Sequence, residues 1–160
     1  MKKIVIIGGS DAGISAALRI RELDNTIRPT LVVSDRFPNF SICGLPYYIS
    51  RDVIQWTDLA HRTKEDIEKA GIDLLLEHTA QSIDTRTKQV AVTDNSGVAQ
   101  ILEYDKLIIA TGALSMKPPI PGCDNPGVFF LRWIPESVAI DEFINNHKPK
   151  SALIIGAGYI

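Results

Sequence analysis

Three stretches of the sequence predict an α/β fold, a parallel sheet with crossover helices that carries a small antiparallel β-inset. The chain opens Lys2-Lys3-Ile4-Val5-Ile6-Ile7, a branched aliphatic run, then turns through Gly8-Gly9-Ser10-Asp11-Ala12-Gly13 into a helical pattern from Ile14 to Arg21. A second aliphatic run, Pro29-Thr30-Leu31-Val32-Val33-Ser34-Asp35, ends in a carboxylate. A third, Lys106-Leu107-Ile108-Ile109-Ala110, ends at Thr111-Gly112. Short continuous apolar runs of this kind are how strands buried on both faces read. Residues 82–85 and 89–93 instead alternate in polarity, as antiparallel strands do.

The first turn carries the chemistry. A glycine corner between a strand and a helix aims free backbone N–H groups and the positive end of the helix at an anion, usually a pyrophosphate. The template is G-x-G-x-x-G with an acid about 20 residues further on. Gly8 and Gly13 fit its outer positions, and Ser10 stands where the middle glycine belongs, a small side chain in place of none. Asp35 follows Gly13 by about 22 positions, the distance expected of a carboxylate that grips a ribose hydroxyl. The spacing therefore predicts a dinucleotide site.

The remaining elements follow in order. Residues 35–42 read as a loop punctuated by Pro38, and Cys43-Gly44-Leu45-Pro46-Tyr47-Tyr48 as a helix start with proline in its first turn. Thr63 and Asp66 have the spacing of a capped helix that Gly71 ends. Residues 72–76 read as a strand. Asp94-Asn95-Ser96-Gly97 is a turn, and residues 100–104 pair back. Residues 116–122, with Pro118, Pro119 and Pro121, form a linker. A short strand is expected over 128–131, then a helix over 135–147 with Val138, Phe143 and Ile144 at helical spacing. Ser151-Ala152-Leu153-Ile154-Ile155-Gly156-Ala157-Gly158 repeats the start of the chain, strand then G-x-G. This predicts a first domain over 1–113, a linker strand and helix over 114–150, and a truncated second dinucleotide domain beginning at 151–160, the chain being a fragment of a longer protein.

Bulk properties bound the partners. The 160 residues suffice for one domain with a real core. A net charge of -2 gives no electrostatic reason to expect nucleic acid or an anionic membrane surface. No apolar run is long enough to span a bilayer, and no signal peptide opens the chain. Two cysteines are too few for a disulfide scaffold, which predicts a cytoplasmic protein with reduced thiols. His61, His78 and His147 lack metal-ligand spacing, so no metal site is expected.

Cys43 is the candidate reactive group. A cysteine at a helix N-terminus is biased toward thiolate, the nucleophilic form, although isolated cysteines are more often buried and inert. Cys123, between Gly122 and Asp124, has no motif around it.

Taken together, the strand-GGSDAG-helix unit, Asp35, Phe40-Ser41-Ile42-Cys43-Gly44-Leu45-Pro46-Tyr47-Tyr48, Tyr104-Asp105-Lys106-Leu107-Ile108-Ile109-Ala110-Thr111-Gly112, Ile120-Pro121-Gly122 and the second G-x-G resemble the FAD-dependent pyridine nucleotide-disulfide oxidoreductases. The chain is most similar to their single-cysteine branch of coenzyme A-disulfide reductases, NADH oxidases, NADH peroxidases and persulfide reductases. The resemblance covers essentially the whole chain. It implies an FAD/NAD(P)-binding, Rossmann-like three-layer fold. It also implies that Gly8, Ser10, Ala12 and Gly13 cradle the FAD pyrophosphate, with Asp11 in the same cofactor-binding turn, that Asp35 holds the adenosine ribose with Arg36 beside it, and that the Ala80 backbone meets the adenine. Ala110, Thr111 and Gly112 would be a second FAD contact, Arg132 would lie near the flavin, and Gly156 and Gly158 would start the NAD(P) motif.

The two-cysteine enzymes of this family place a second cysteine five residues after the first, and here that position is Tyr48. Cys43, the implied catalytic residue, would therefore cycle through a mixed disulfide or a sulfenic acid, with electrons passing from NAD(P)H through FAD to Cys43 and on to a small disulfide or persulfide. Oxidase and peroxidase members carry a histidine in the first glycine turn, where this chain has Asp11, a poor proton carrier near neutral pH. Coenzyme A-disulfide reductases typically have serine and asparagine at the places of Asn39 and Ile42. Arg19 and Arg21 on the first helix are candidates for a substrate phosphate. The full-length protein is expected to be a homodimer. The alternatives are a flavin-binding or electron-transfer module without turnover of its own, an NADH oxidase or peroxidase, and an NAD-binding fold without flavin.

Overall fold

The computed structural model describes residues 2–156. The chain forms two compact units: one comprises the residues up to Phe40 with Ala60–Gly112, the other Ser41–Leu59 with the residues from Ala113 onward.

The first unit is built on β1 (Ile4–Ile7), whose four residues are all buried. It is central because parallel neighbours flank it: β2 (Thr30–Val32) on one side and β7 (Lys106–Ile109) on the other, with β3 (Asp73–Leu75) beyond β2, giving the order β3-β2-β1-β7. Each parallel step needs a crossover. α1 (Asp11–Leu23) carries the chain from β1 to β2, and α3 (Lys64–Lys69) leads into β3.

Alternation along β1 sorts its side chains between two faces. Ile4 and Ile6 join Ile14 and Ala17 of α1, Leu31, Ile67 and Ile72 in one core. Val5 and Ile7 join Val32 and, from the antiparallel sheet, Val90 and Val92 in the other. That sheet is the meander β4 (His78–Asp84), β5 (Gln89–Asp94) and β6 (Ala99–Glu103). Val90 and Val92 are fully buried, and each contributes about 1.5–3 kcal/mol by leaving water. Helices on one face and a small sheet on the other make the three layers that the family resemblance implies.

Local chemistry fixes the ends. The Thr63 hydroxyl accepts from the Asp66 N–H while the Asp66 carboxylate accepts from the Thr63 N–H at 3.0 Å, the capping box predicted for α3. Asp84 Oδ1 accepts from the N–H groups of Arg86 and Thr87, and Asp94 Oδ1 from those of Ser96 and Val98, which turns the two hairpins.

The second unit holds a 3₁₀ turn over Ile42–Gly44, α2 (Leu45–Ile49), a second 3₁₀ turn over Trp56–Leu59, and α4 (Ile134–His147). The helix pair α2 and α4 is joined by Arg51, whose Nη2 lies 2.7 Å from Asp141 Oδ1 and donates to Asn145 Oδ1.

Three expectations are corrected here. Residues 128–131 are not a strand: the turn at 125–128 puts the Val128 N–H on the Asn125 carbonyl, and Val128 stays 45% exposed without a ladder. Residues 151–155 are likewise outside any ladder, with Leu153, Ile154 and Ile155 each more than 80% exposed, and Gly158 lies outside the described residues. A lone apolar segment without a neighbour to bond its backbone does not become a strand. The buried stripe of α4 is Ile134, Ser137 and Asp141, not Val138, Phe143 and Ile144. Two of its three members are polar, which a search for apolar periodicity passes over. Ser137 bonds the Ile134 carbonyl at 2.8 Å, and Asp141 is paired with Arg51.

Candidate functional site

β1 and β7 end side by side, and the first glycine corner forms where they do. Gly8 has φ +110°, a backbone that favours glycine. A Cβ there would lie 2.1 Å from the Ala110 carbonyl oxygen, and one on Gly13 would lie 1.9 Å from the Gly8 carbonyl oxygen. The close approach is held by the Gly8 N–H donating to Val32 O at 2.9 Å and the Ala110 N–H donating to Ile7 O at 2.8 Å. Gly8, Gly13 and Ala110, separated by about a hundred positions in the chain, thus meet at one point.

Ser10 is the N-cap of α1 in extended conformation, and its hydroxyl caps nothing. The first N–H with a helical acceptor is that of Ile14, on Ser10 O at 3.0 Å. The N–H groups of Asp11, Ala12 and Gly13 precede any intrahelical acceptor, as the opening turn of a helix requires. Together with the positive end of the helix they suit an anion. Asp11 is exposed in that same first turn.

The loop after β2 is ordered by its own side chains. Asp35 Oδ1 accepts from the Phe37 N–H at 3.2 Å, which orients the carboxylate, and the Arg36 guanidinium stacks over the Phe37 ring at 4.5 Å. The Val33 carbonyl accepts from the His78 N–H, and the Asp35 carbonyl from that of Glu77, so β4 starts beside this loop. Ala80 is half-buried two residues later, immediately before the register shift between Ala80 and Ser82. Such a bulge re-aims backbone groups next to functional sites. Thr111 and Gly112, the latter with φ +67°, extend exposed beyond β7.

Sequence reasoning, which named Asn39 and Ile42 only as candidate substrate positions, missed Asn39 as a structural hub. It is 2% exposed and has φ +50°, a conformation asparagine tolerates. Its N–H donates to Gly9 O at 3.1 Å, its carbonyl accepts from the His61 N–H at 2.9 Å, its Nδ2 donates to Asp11 Oδ1 at 3.0 Å, and its Oδ1 accepts from Arg62 Nη1 at 3.2 Å. The one advance signal was an asparagine between Pro38 and Phe40.

Arg21 is engaged within the fold. Its Nε donates to Ala70 O at 3.0 Å and its Nη1 to the carbonyls of Asn25 and Ile27, so it ties the α1–β2 loop to the end of α3. Gly71, with φ +82°, leaves the room the guanidinium occupies. Arg19 is exposed and paired with Glu22 at 2.8 Å.

In the second unit Cys43 is the middle residue of the 3₁₀ turn, exposed and free. The Gly44 N–H closes the turn on Ser41 O at 3.1 Å. A Cβ on Gly44 would lie 2.5 Å from Leu59, so the turn sits tightly against the segment at 56–59. The predicted helix start is therefore a 3₁₀ turn leading into a helix of only five residues. Ile42 is half-buried beside the cysteine. Tyr48, at the place of a second cysteine, is 8% exposed; burial pushes its phenol up, and the nearby Asp141 carboxylate adds to this. The Arg132 guanidinium donates from Nε to Ala113 O at 3.0 Å, next in sequence to Gly112, while its N–H donates to Glu136 at the start of α4. Gly156 has φ +112° with open space around it.

The family model described as pyridine nucleotide-disulphide oxidoreductase matches residues 2–160. A coenzyme A disulfide reductase of Staphylococcus haemolyticus is 35% identical over 100% of this chain and 36% of its own length. An NADH oxidase of Methanocaldococcus jannaschii is 31% identical over 99% of this chain and likewise 36% of its own. The solved structure of an NAD-dependent persulfide reductase from A. fulgidus superposes with a TM-score of 0.84 at 37% identity, over 89% of this chain and 27% of that one. The chain spans about a third of the length of the curated relatives it matches. With its three-layer first unit and its glycine corner between β1 and β7, the chain belongs to the pyridine nucleotide-disulphide oxidoreductase family.

Proposed function

We propose that this chain is the FAD-binding part of an NAD(P)H-dependent flavoprotein reductase that delivers electrons to Cys43 and from there to a small disulfide or persulfide of the coenzyme A type. The observation that carries this reading is the corner where Gly8 and Gly13 leave no room for a Cβ. The missing side chains bare the N-terminal N–H groups of α1 at the end of β1, and the orientation of Asp35 supplies an acceptor for a ribose at the end of β2. These residues fit a dinucleotide with a pyrophosphate at its centre: glycines where phosphates approach, N–H donors of a helix's first turn, and a carboxylate about one strand away. When bound, the isoalloxazine of FAD accepts hydride from NAD(P)H and supplies an electron pair.

What the chain's own residues do is bind, orient and exchange sulfur. The exposed Cys43 thiolate attacks one sulfur of the substrate disulfide, a Cys43–S–S–R bond forms, and one thiolate leaves. An electron pair then cleaves the mixed disulfide and restores the Cys43 thiolate as the second thiol departs with a proton. Net, one NAD(P)H, one proton and one disulfide give NAD(P)⁺ and two thiols. Tyr48 in the resolving position keeps this cycle on the substrate rather than on a local disulfide. The similarity to coenzyme A disulfide and persulfide reductases supports the substrate class. Similarity to an NADH oxidase supports oxygen or peroxide as a second reading, against which stands Asp11 in place of a proton-carrying histidine.

In this reading the intact protein works as a homodimer in the cytoplasm. Among the described residues no helix is long and apolar enough to cross a membrane. The purified protein tests the reading. A flavin absorbance band near about 450 nm, bleached by NADH or NADPH and restored by coenzyme A disulfide with release of two thiols, is the expected result. A protein that binds nicotinamide but no flavin, or a flavin restored by oxygen alone, contradicts it.

A further inference from the structure

Asp11 poses an electrostatic problem. A carboxylate in the first turn of α1 stabilises the helix, but it stands at the end where the pyrophosphate of a dinucleotide would bring negative charge. Among the described residues its side-chain partner is Asn39, the buried hub of the 35–40 loop.

The orientation of the Asn39 amide is fixed by chemistry. Ionised Asp11 only accepts and Arg62 only donates, so the NH₂ group must face Asp11 and the oxygen must face Arg62. The amide dipole therefore lies aligned between a cation and an anion, an arrangement in which each hydrogen bond polarises the next. The backbone on which the amide sits is held independently by the Asn39 N–H on Gly9 O and the His61 N–H on Asn39 O.

We propose that Asn39 is a positioning residue for dinucleotide binding: backed by Arg62, its amide pins the Asp11 carboxylate to the 35–40 loop and keeps that charge from the N–H groups of Ala12 and Gly13. The inference rests on the reading of the first glycine corner as a dinucleotide site. It adds a requirement at a side chain that acts through Asp11. Loss of the amide frees the carboxylate to swing over the helix end, where it competes with phosphate for the same donors.

A double-mutant cycle on flavin affinity tests this in the intact protein, with the apoprotein titrated by FAD and, separately, by ADP. Asn39→Gly keeps the left-handed backbone and both main-chain bonds and removes only the amide. It is expected to weaken FAD and ADP binding about tenfold, whereas Asp11→Asn is expected to bind at least as tightly as the unmodified protein. In the Asp11→Asn background, Asn39→Gly should cost nothing, because no carboxylate remains to be held. A purely structural role for Asn39 predicts the same loss in both backgrounds, and that result would overturn the proposal. Should Asn39→Gly not fold, Asp11→Asn and Arg62→Met remain: weaker binding by the first, or unchanged binding by the second, would also overturn it. Failure of the unmodified protein to bind FAD or ADP at all would remove the dinucleotide reading itself, a distinguishable outcome.

Discussion

The Gly13 α-carbon faces the Gly8 carbonyl so closely that a Cβ on Gly13 would lie 1.9 Å from that oxygen. No side-chain rotation relieves such a contact, because both atoms belong to, or are fixed by, the backbone. Gly13→Ala must therefore separate α1 from β1. It is expected to cost about 3 kcal/mol and to abolish flavin retention. Denaturant unfolding of the apoprotein and the flavin-to-chain absorbance ratio check the two effects separately. Gly97→Ala, at a hairpin tip with nothing within 4 Å of the new Cβ but with φ +83°, should lower stability alone and leave flavin retention intact.

Arg21 gives the opposite pairing of outcomes. Its guanidinium serves three backbone carbonyls in two segments. Hydrogen bonds from a charged donor are each worth about 1.5–3 kcal/mol, so Arg21→Met should lower the unfolding midpoint clearly. The Michaelis constant for coenzyme A disulfide should not move. A raised constant with unchanged stability would return Arg21 to the substrate.

The α3 capping box sets an acid limit on the first unit. Hydrogen bonds from the Thr63 N–H and then the Thr63 hydroxyl hold the Asp66 carboxyl below its usual range. A carboxyl depressed in the folded state contributes stability that is fully present above the unfolded value, about 3.9, and is lost as pH falls through the lower folded value. Asp66→Asn should therefore be less stable than the unmodified protein at pH 7, with the gap closing below about pH 4. Parallel urea titrations across that range measure it. A gap that persists unchanged at low pH would contradict the assignment.

Asp141 and Arg51 hold α2 against α4, and α2 continues directly from the turn that carries Cys43. The Asp141 side chain is 11% exposed and that of Arg51 48%, so solvent screens one end of the pair. Removing the arginine should cost about 1–2 kcal/mol, between the values for surface pairs and fully buried ones. Arg51 also has φ +70°, a backbone cost that alanine shares and glycine would remove, so Arg51→Ala deletes the pair at an unchanged backbone cost and isolates the side chain's part. Reactivity of Cys43 toward a thiol reagent should rise in this variant as the turn loosens. An unchanged rate would separate the helix pair from the cysteine.

How much of this was legible beforehand depended on whether a residue's role has a periodic or local signature. The aliphatic run of β1, the alternation of β5 and the Thr63–Asp66 spacing each carry one, and the layers followed from them. The run at 128–131 has the composition of a strand, but a strand also needs a neighbour with free backbone groups, which no local pattern encodes. The covered face of α4 is mostly polar, so apolar periodicity pointed to the wrong side. Asn39 and Arg21 act through single hydrogen bonds to segments distant in sequence. An asparagine in a loop and an arginine on a helix look the same whether they are solvated or indispensable. The glycine corner was legible because the close contact excludes every other residue type, and exclusion leaves a mark in sequence where attraction often does not.

The central claim is that electrons leave this protein through the Cys43 sulfur. Cys43→Ser in the intact protein tests it most directly, by NAD(P)H-driven thiol release from coenzyme A disulfide alongside flavin reduction. The account predicts a variant that keeps its flavin and still bleaches with NAD(P)H, yet releases no thiol. Thiol release at the unmodified rate would place the exchange on another group and contradict the account.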